Sequence, residues 1–153
     1  MMTPARKVVT VLLAAKEGGQ PAVSHPLLHA LIYSLKKDIT FPTYLFNPRI
    51  YPVEFQEQSQ SKRENYEILY SMELDDDLAD LTSTGYVEER SSVIMYLPGD
   101  RALKVRQYLV EEFQADAILS FEQLTETVSQ SLAQPRSFLA DCYQRYIRNP
   151  VAF

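Results

Sequence analysis

Apolar positions along the chain recur mostly at helical spacing. Val8, Val11, Leu12 and Ala15 fall on one face of a first helix, which Pro4 opens and Gly18–Gly19 stop. Leu27, Leu28, Leu31, Ile32 and Leu35 give a second helix, from Pro26 to about Lys37, one broad apolar face. Ser24 or His25 stands near its cap. Leu74, Leu78, Leu81 and Gly85 share a face of a third helical segment, which the pattern starts near Tyr66 and Gly85 ends. Asp100 caps a fourth, with Ala102, Val105, Leu109 and Phe113 as its apolar side. Phe121, Leu124, Val128 and Leu132 mark a fifth. Pro135 breaks it and opens the last, which carries Phe138, Leu139, Cys142, Tyr143, Tyr146 and Ile147.

Two stretches depart from this period. From Phe41 to Phe55, five aromatics (Phe41, Tyr44, Phe46, Tyr51, Phe55) are interspersed with Pro42, Pro48 and Pro52, which forbids a continuous helix and fits extended or edge-strand backbone. The following "QEQSQSKREN" is polar and reads as a loop or the start of a solvated helix. "YVEER" and "VIMYL" are short strands that Ser91 and Ser92 join into a hairpin. The expected fold is mainly α with a small β-hairpin: a winged-helix-like domain over residues 1–115 and a C-terminal helical extension over 116–153. That extension packs on the first domain or on a second copy, which would make a homodimer.

The run "YSMELDDDLADLTSTGYVEE", residues 70–89, resembles a pattern common in bacterial winged-helix proteins, and looks closest to Panacea-like domains. "LLHALIYSL" is similar to their preceding helix, and "YLPGDRALKV" to the turn and helix after the wing. The resemblance spans roughly residues 5–112 and departs in the proline and aromatic insertion at 41–55. It implies a regulatory role, with toxin neutralisation and defence of genetic elements as the associated functions, several of them exercised through protein contacts.

Charge changes what such a fold is expected to do. The net charge is −5, the opposite of the balance that phosphate neutralisation asks of a nucleic-acid binder. Between Glu73 and Glu89 stand seven acids and no base, five of them on the helix that a winged helix offers to the major groove. Glu73, Asp75, Asp76, Asp77 and Asp80 therefore read as a solvated face or as a docking surface for a basic protein partner. The extended stretch supplies a second candidate surface, with Tyr44, Phe46, Arg49 and Tyr51 of the types that populate binding sites. Arg49 and Tyr51 point to one side if the segment is a strand. The alternative is a DNA-binding regulator that touches phosphates through Arg90, Arg101, Lys104 and Arg106 near the wing, and through Arg145 and Arg148 at the C-terminal end.

Catalysis and cofactors find little support. His25 and His29 are four apart, but no third ligand stands at recognisable spacing, so no metal is expected. None of the four glycines forms a phosphate cradle. Cys142 is the single cysteine and falls on an apolar stripe. Thr10 interrupts the apolar run of the first helix, and Lys16 and Glu17 end it, which suits a packed helix better than a signal peptide. No segment approaches the ~20 apolar residues of a membrane span. The expectation is a soluble cytoplasmic protein that binds another protein and catalyses nothing.

Overall fold

Helix α1, Pro4–Glu17, is buried from Lys7 to Ala15 on every side. The pattern puts one apolar face on it, but the remaining positions are also small or apolar apart from Lys7, which pairs with Asp116, and helices and a strand surround it. The computed structural model describes residues 2–39, 44–90 and 93–149, apart from the side chain of Glu57. Phe41, Pro42 and the Ser91–Ser92 turn lie outside the described residues.

The order after α1 is β1 (Val23–Ser24), α2 (His25–Ser34), β2 (Asn47–Glu57), β3 (Gln60–Tyr70), α3 (Met72–Ser83), β4 (Val87–Arg90) and β5 (Met95–Pro98). Helices α4 (Asp100–Lys104), α5 (Arg106–Asp116), α6 (Phe121–Ala133) and α7 (Pro135–Cys142) follow, and a π-helical turn over Tyr143–Arg148 extends the last. The fold is thus mainly helical, with two antiparallel sheets. One is three-stranded in the order β1-β5-β4, pairing Val23 with Tyr96 and Val87 with Pro98. The other is the hairpin β2–β3, in register from Asn47–Tyr70 to Glu57–Gln60.

That hairpin corrects the expectation for residues 56–70. The polar stretch after Phe55 forms a strand instead of a loop or solvated helix, and β3 continues to Tyr70, so the helix begins only at Met72. One face of the hairpin is covered, along β2 as far as Phe55 and along β3 at its C-terminal end. Val53, Phe55, Ile68 and Tyr70 pack there with Ala30 of α2 and Leu139 of α7, while the outer half of β3 is polar on both sides. Gln58 and Ser59 make the two-residue connection, both at positive φ (48° and 66°), as a type I′ turn requires.

The other boundaries follow local chemistry. Ser71 caps α3 by accepting from the Leu74 amide. At its far end Gly85 has φ +83°, and the Tyr86 amide donates back to the Leu81 carbonyl. The fourth helix is capped by Gly99 rather than Asp100, and Val105 at φ −107° breaks it in two. Ser120 and Gln123 close a capping box at the start of α6. Phe121, Leu124, Val128 and Leu132 of α6 join the core around α1, and the Ser129 hydroxyl donates to the Gly18 carbonyl at 3.1 Å. Arg136 of α7 makes a two-toothed ion pair with Glu64 of β3, at 3.1 and 3.0 Å. Among the described residues no helix is long and apolar enough to cross a membrane.

Candidate functional site

His25 and His29 lie one turn apart because Pro26 starts α2 just after the extended Ser24, so both rings leave the same side of the helix. Asp75 lies in the first turn of α3, where the macrodipole favours a negative charge. Packing of α2 on β3, which leads through Ser71 into α3, brings the three together. The Nε2 atoms of His25 and His29 stand 2.6 and 2.9 Å from Asp75 Oδ1, and 3.1 Å from each other. The Tyr70 hydroxyl, at the end of β3, donates to Asp75 Oδ2. Tyr51 of β2 reaches His25 Nδ1 at 2.8 Å. Above them the Arg49 guanidinium lies 4.6 Å from the Tyr70 ring and 5.7 Å from that of Tyr51. Arg49 and Tyr51 therefore do share a side of the strand.

The direction of each hydrogen bond can be assigned. The Ser71 amide donates to His29 Nδ1 at 3.1 Å, so a neutral His29 carries its proton on Nε2 and gives it to Asp75. Burial lowers the His29 pKa, against the bond it gives Asp75, and keeps the ring neutral. If His25 also donates through Nε2, its Nδ1 accepts from the Tyr51 hydroxyl. Burial pushes the Asp75 carboxyl up, but the bonds from His29, Tyr70 and His25 outweigh it and hold its pKa well below the usual range. Asp75 is thus an anion that ties α2, α3 and the hairpin together.

Two kinds of chemistry suit such a cluster. Tyr51, His25 and Asp75 follow the order hydroxyl, imidazole, carboxylate of a nucleophilic triad. However, burial pushes the Tyr51 phenol above its ordinary value, with Arg49 opposing and Asp75 adding, which works against a phenolate. Metal ligation is better served, because one ligand atom from each of His25, His29 and Asp75 lies within 4.8 Å of the others. Asp75 supplies the third donor atom that sequence spacing hid. A bound cation would need Nδ1 of each ring to carry a proton. His25 could donate that proton to Tyr51. His29 would have to give up the Ser71 amide, a loss of about 1–3 kcal/mol, against ~10–16 kcal/mol for zinc in structural sites.

Beside this cluster, the start of the extended segment meets the acidic helix α3. The Tyr44 hydroxyl donates to Asp77 Oδ2, and the Leu45 amide donates to Glu73 Oε1. Both bonds fasten residues 44–45 to α3. A groove of about 410 Å³ results, lined by Leu45, Pro48, Arg49, Tyr70, Met72 and Glu73 among others. Leu45 and Met72 at its mouth are 73% and 76% exposed, far more than apolar side chains of this size usually are. Glu73, Asp75 and Asp77 are thus occupied within the chain. Asp76 and Asp80 are exposed. Tyr44 is buried, Phe46 is half-buried against Tyr33, and Arg49 is exposed.

The basic residues are scattered and partly engaged. Arg101 donates to the Thr84 carbonyl and covers the Tyr86 ring. Arg106 pairs with Glu17, and Arg145 with Asp141 at 3.3 Å. Arg90, Lys104 and Arg148 are exposed. Arg145 and Arg148 stand in a π-helical turn, whose wider winding separates residues three apart more than an α-helix does. Cys142 is half-buried, and burial pushes its thiol up to about 12, so it stays protonated at neutral pH. No protein-family model matches the chain, and no curated protein or solved structure does either.

Proposed function

We propose that this chain is a non-catalytic protein-binding subunit of winged-helix layout, regulatory or neutralising in role, which docks its partner on the groove between residues 44–49 and α3. The element order α1-β1-α2-α3-β4-β5, with sheet order β1-β5-β4, supports that layout, and β2–β3 is then an insertion between its second and third helices. The resemblance of residues 70–89 to Panacea-like domains points the same way.

One observation carries the docking reading: exposed Leu45 and Met72 open onto an apolar groove, and exposed Asp76 and Asp80 follow Met72 one and two turns along the same face of α3. An apolar anchor next to a charged rim is the usual anatomy of a protein-binding patch. The partner that fits offers an apolar side chain flanked by lysine or arginine. A phosphate backbone does not fit, since like charges at contact distance repel. The test is purification of the native complex from its host with nuclease treatment. A stoichiometric protein retained after digestion supports the reading, and nucleic acid alone, lost on digestion, contradicts it.

A further inference from the structure

We propose that His25, His29 and Asp75 bind one divalent transition-metal ion of the zinc type. The set is two imidazole nitrogens and one carboxylate oxygen, which selects zinc and its neighbours over calcium or magnesium. The separations of 2.6, 2.9 and 3.1 Å form a closed triangle of ligand atoms. Around a tetrahedral zinc with bonds of about 2.0–2.1 Å, ligand atoms stand roughly 3.3 Å apart, so entry needs only a slight spreading. Two imidazole N–H groups aimed at one oxygen at such short range crowd their hydrogens, and a cation relieves that crowding.

The surroundings support the ligands as known sites do. Tyr70 holds the second oxygen of Asp75, and Tyr51 is placed to accept from His25 Nδ1. His29 is fully buried and His25 nearly so, while Asp75 remains part-exposed and gives a cation its way in. Water completes the fourth position. The bound ion joins α2 to α3 and, through Tyr51 and Tyr70, fixes the base of the β2–β3 hairpin. It needs one rearrangement: the Ser71 amide must release His29 Nδ1. The site adjoins the partner groove through Tyr70, which touches both, but none of its three ligands lines the groove.

The test uses untagged full-length protein, stripped with chelator and dialysed against buffered zinc chloride, with metal measured per chain. Wild type and E122Q, which alters an exposed acid on α6, should each hold one zinc. H29Q and D75N should lose it, and Y51F should bind about tenfold more weakly. Because H29Q also removes a fully buried ring, two measurements are made on wild type alone. Cobalt(II) should give the intense visible bands of a tetrahedral site, and zinc should shift the Ser71 amide resonance. Zinc held equally by D75N, none held by wild type, or a weak octahedral cobalt spectrum would each overturn the proposal.

Discussion

Asp75 Oδ1 receives His25 Nε2 at 2.6 Å, across fifty residues of sequence and between two different helices. The same carboxylate also takes His29 and Tyr70, so one side chain secures α2, α3 and the end of the hairpin. In metal-free protein, D75A leaves three donors without their acceptor. The expected loss is about 2–3 kcal/mol, moderated because water reaches part of the site. Urea unfolding followed by circular dichroism measures it.

Asp76 and Asp80 separate docking from folding. D76K and D80K should change stability by no more than about 0.5 kcal/mol, as surface substitutions usually do. E73K and D77K should cost more, because Glu73 holds the Leu45 amide and Asp77 holds the Tyr44 hydroxyl. Partner affinity should fall with D76K and D80K while their unfolding curves overlay wild type. Thermal and chemical unfolding beside a binding titration distinguishes the two effects.

How much of this was legible in the sequence differs by element. Helices α1, α2, α3 and α6 announced themselves because each buries a stripe or more, and the glycines and prolines stood where backbone geometry needs them. The hairpin was half visible. Prolines and aromatics marked β2 as extended, but the first half of β3 lacks the apolar alternation that signals a strand, since its side chains are polar and mostly exposed. Its turn is Gln58-Ser59 in place of the asparagine and glycine that favour positive φ. In the candidate site, the spacing of His25 and His29 was readable, whereas Asp75 joins them only through packing. Its place within "LDDDLAD" made it look like one more surface acid. Tyr44 and Asp77 were each noticed, but only the tertiary fold brings them into contact.

The turn gives a gain-of-stability prediction. Replacing Gln58 with Asn and Ser59 with Gly relieves two left-handed non-glycine residues. The double variant should be more stable by about 0.5–1 kcal/mol, read as a raised urea midpoint at unchanged m-value.

Gly99 predicts the opposite sign. A Cβ there would stand 2.2 Å from the Gly85 carbonyl oxygen, a backbone atom that cannot move aside alone. G99A should therefore cost about 2–3 kcal/mol by forcing the start of α4 away from the end of α3. The midpoint of thermal unfolding reports it.

Acid should weaken the packing of α1 against α5 in a defined window. The hydrogen bond from Lys7 outweighs partial burial and lowers the Asp116 pKa, and Lys7 itself is almost fully buried. A carboxylate with a depressed folded pKa contributes stability above its unfolded value, near 3.9, and loses it as pH falls through the folded value. Unfolding free energy should drop below about pH 4, and D116N should flatten part of that drop while lowering stability at pH 7. A series of urea titrations from pH 7 to pH 3 tests both halves.

The most direct test of the central claim places a photo-crosslinking amino acid at Met72, at the mouth of the groove, and separately at Ile118, which is 74% exposed outside it. Irradiation of each purified complex with its partner should yield an adduct from position 72 and none from position 118. Adducts from position 118 alone would contradict docking on the groove, and with it the account of what this fold is for.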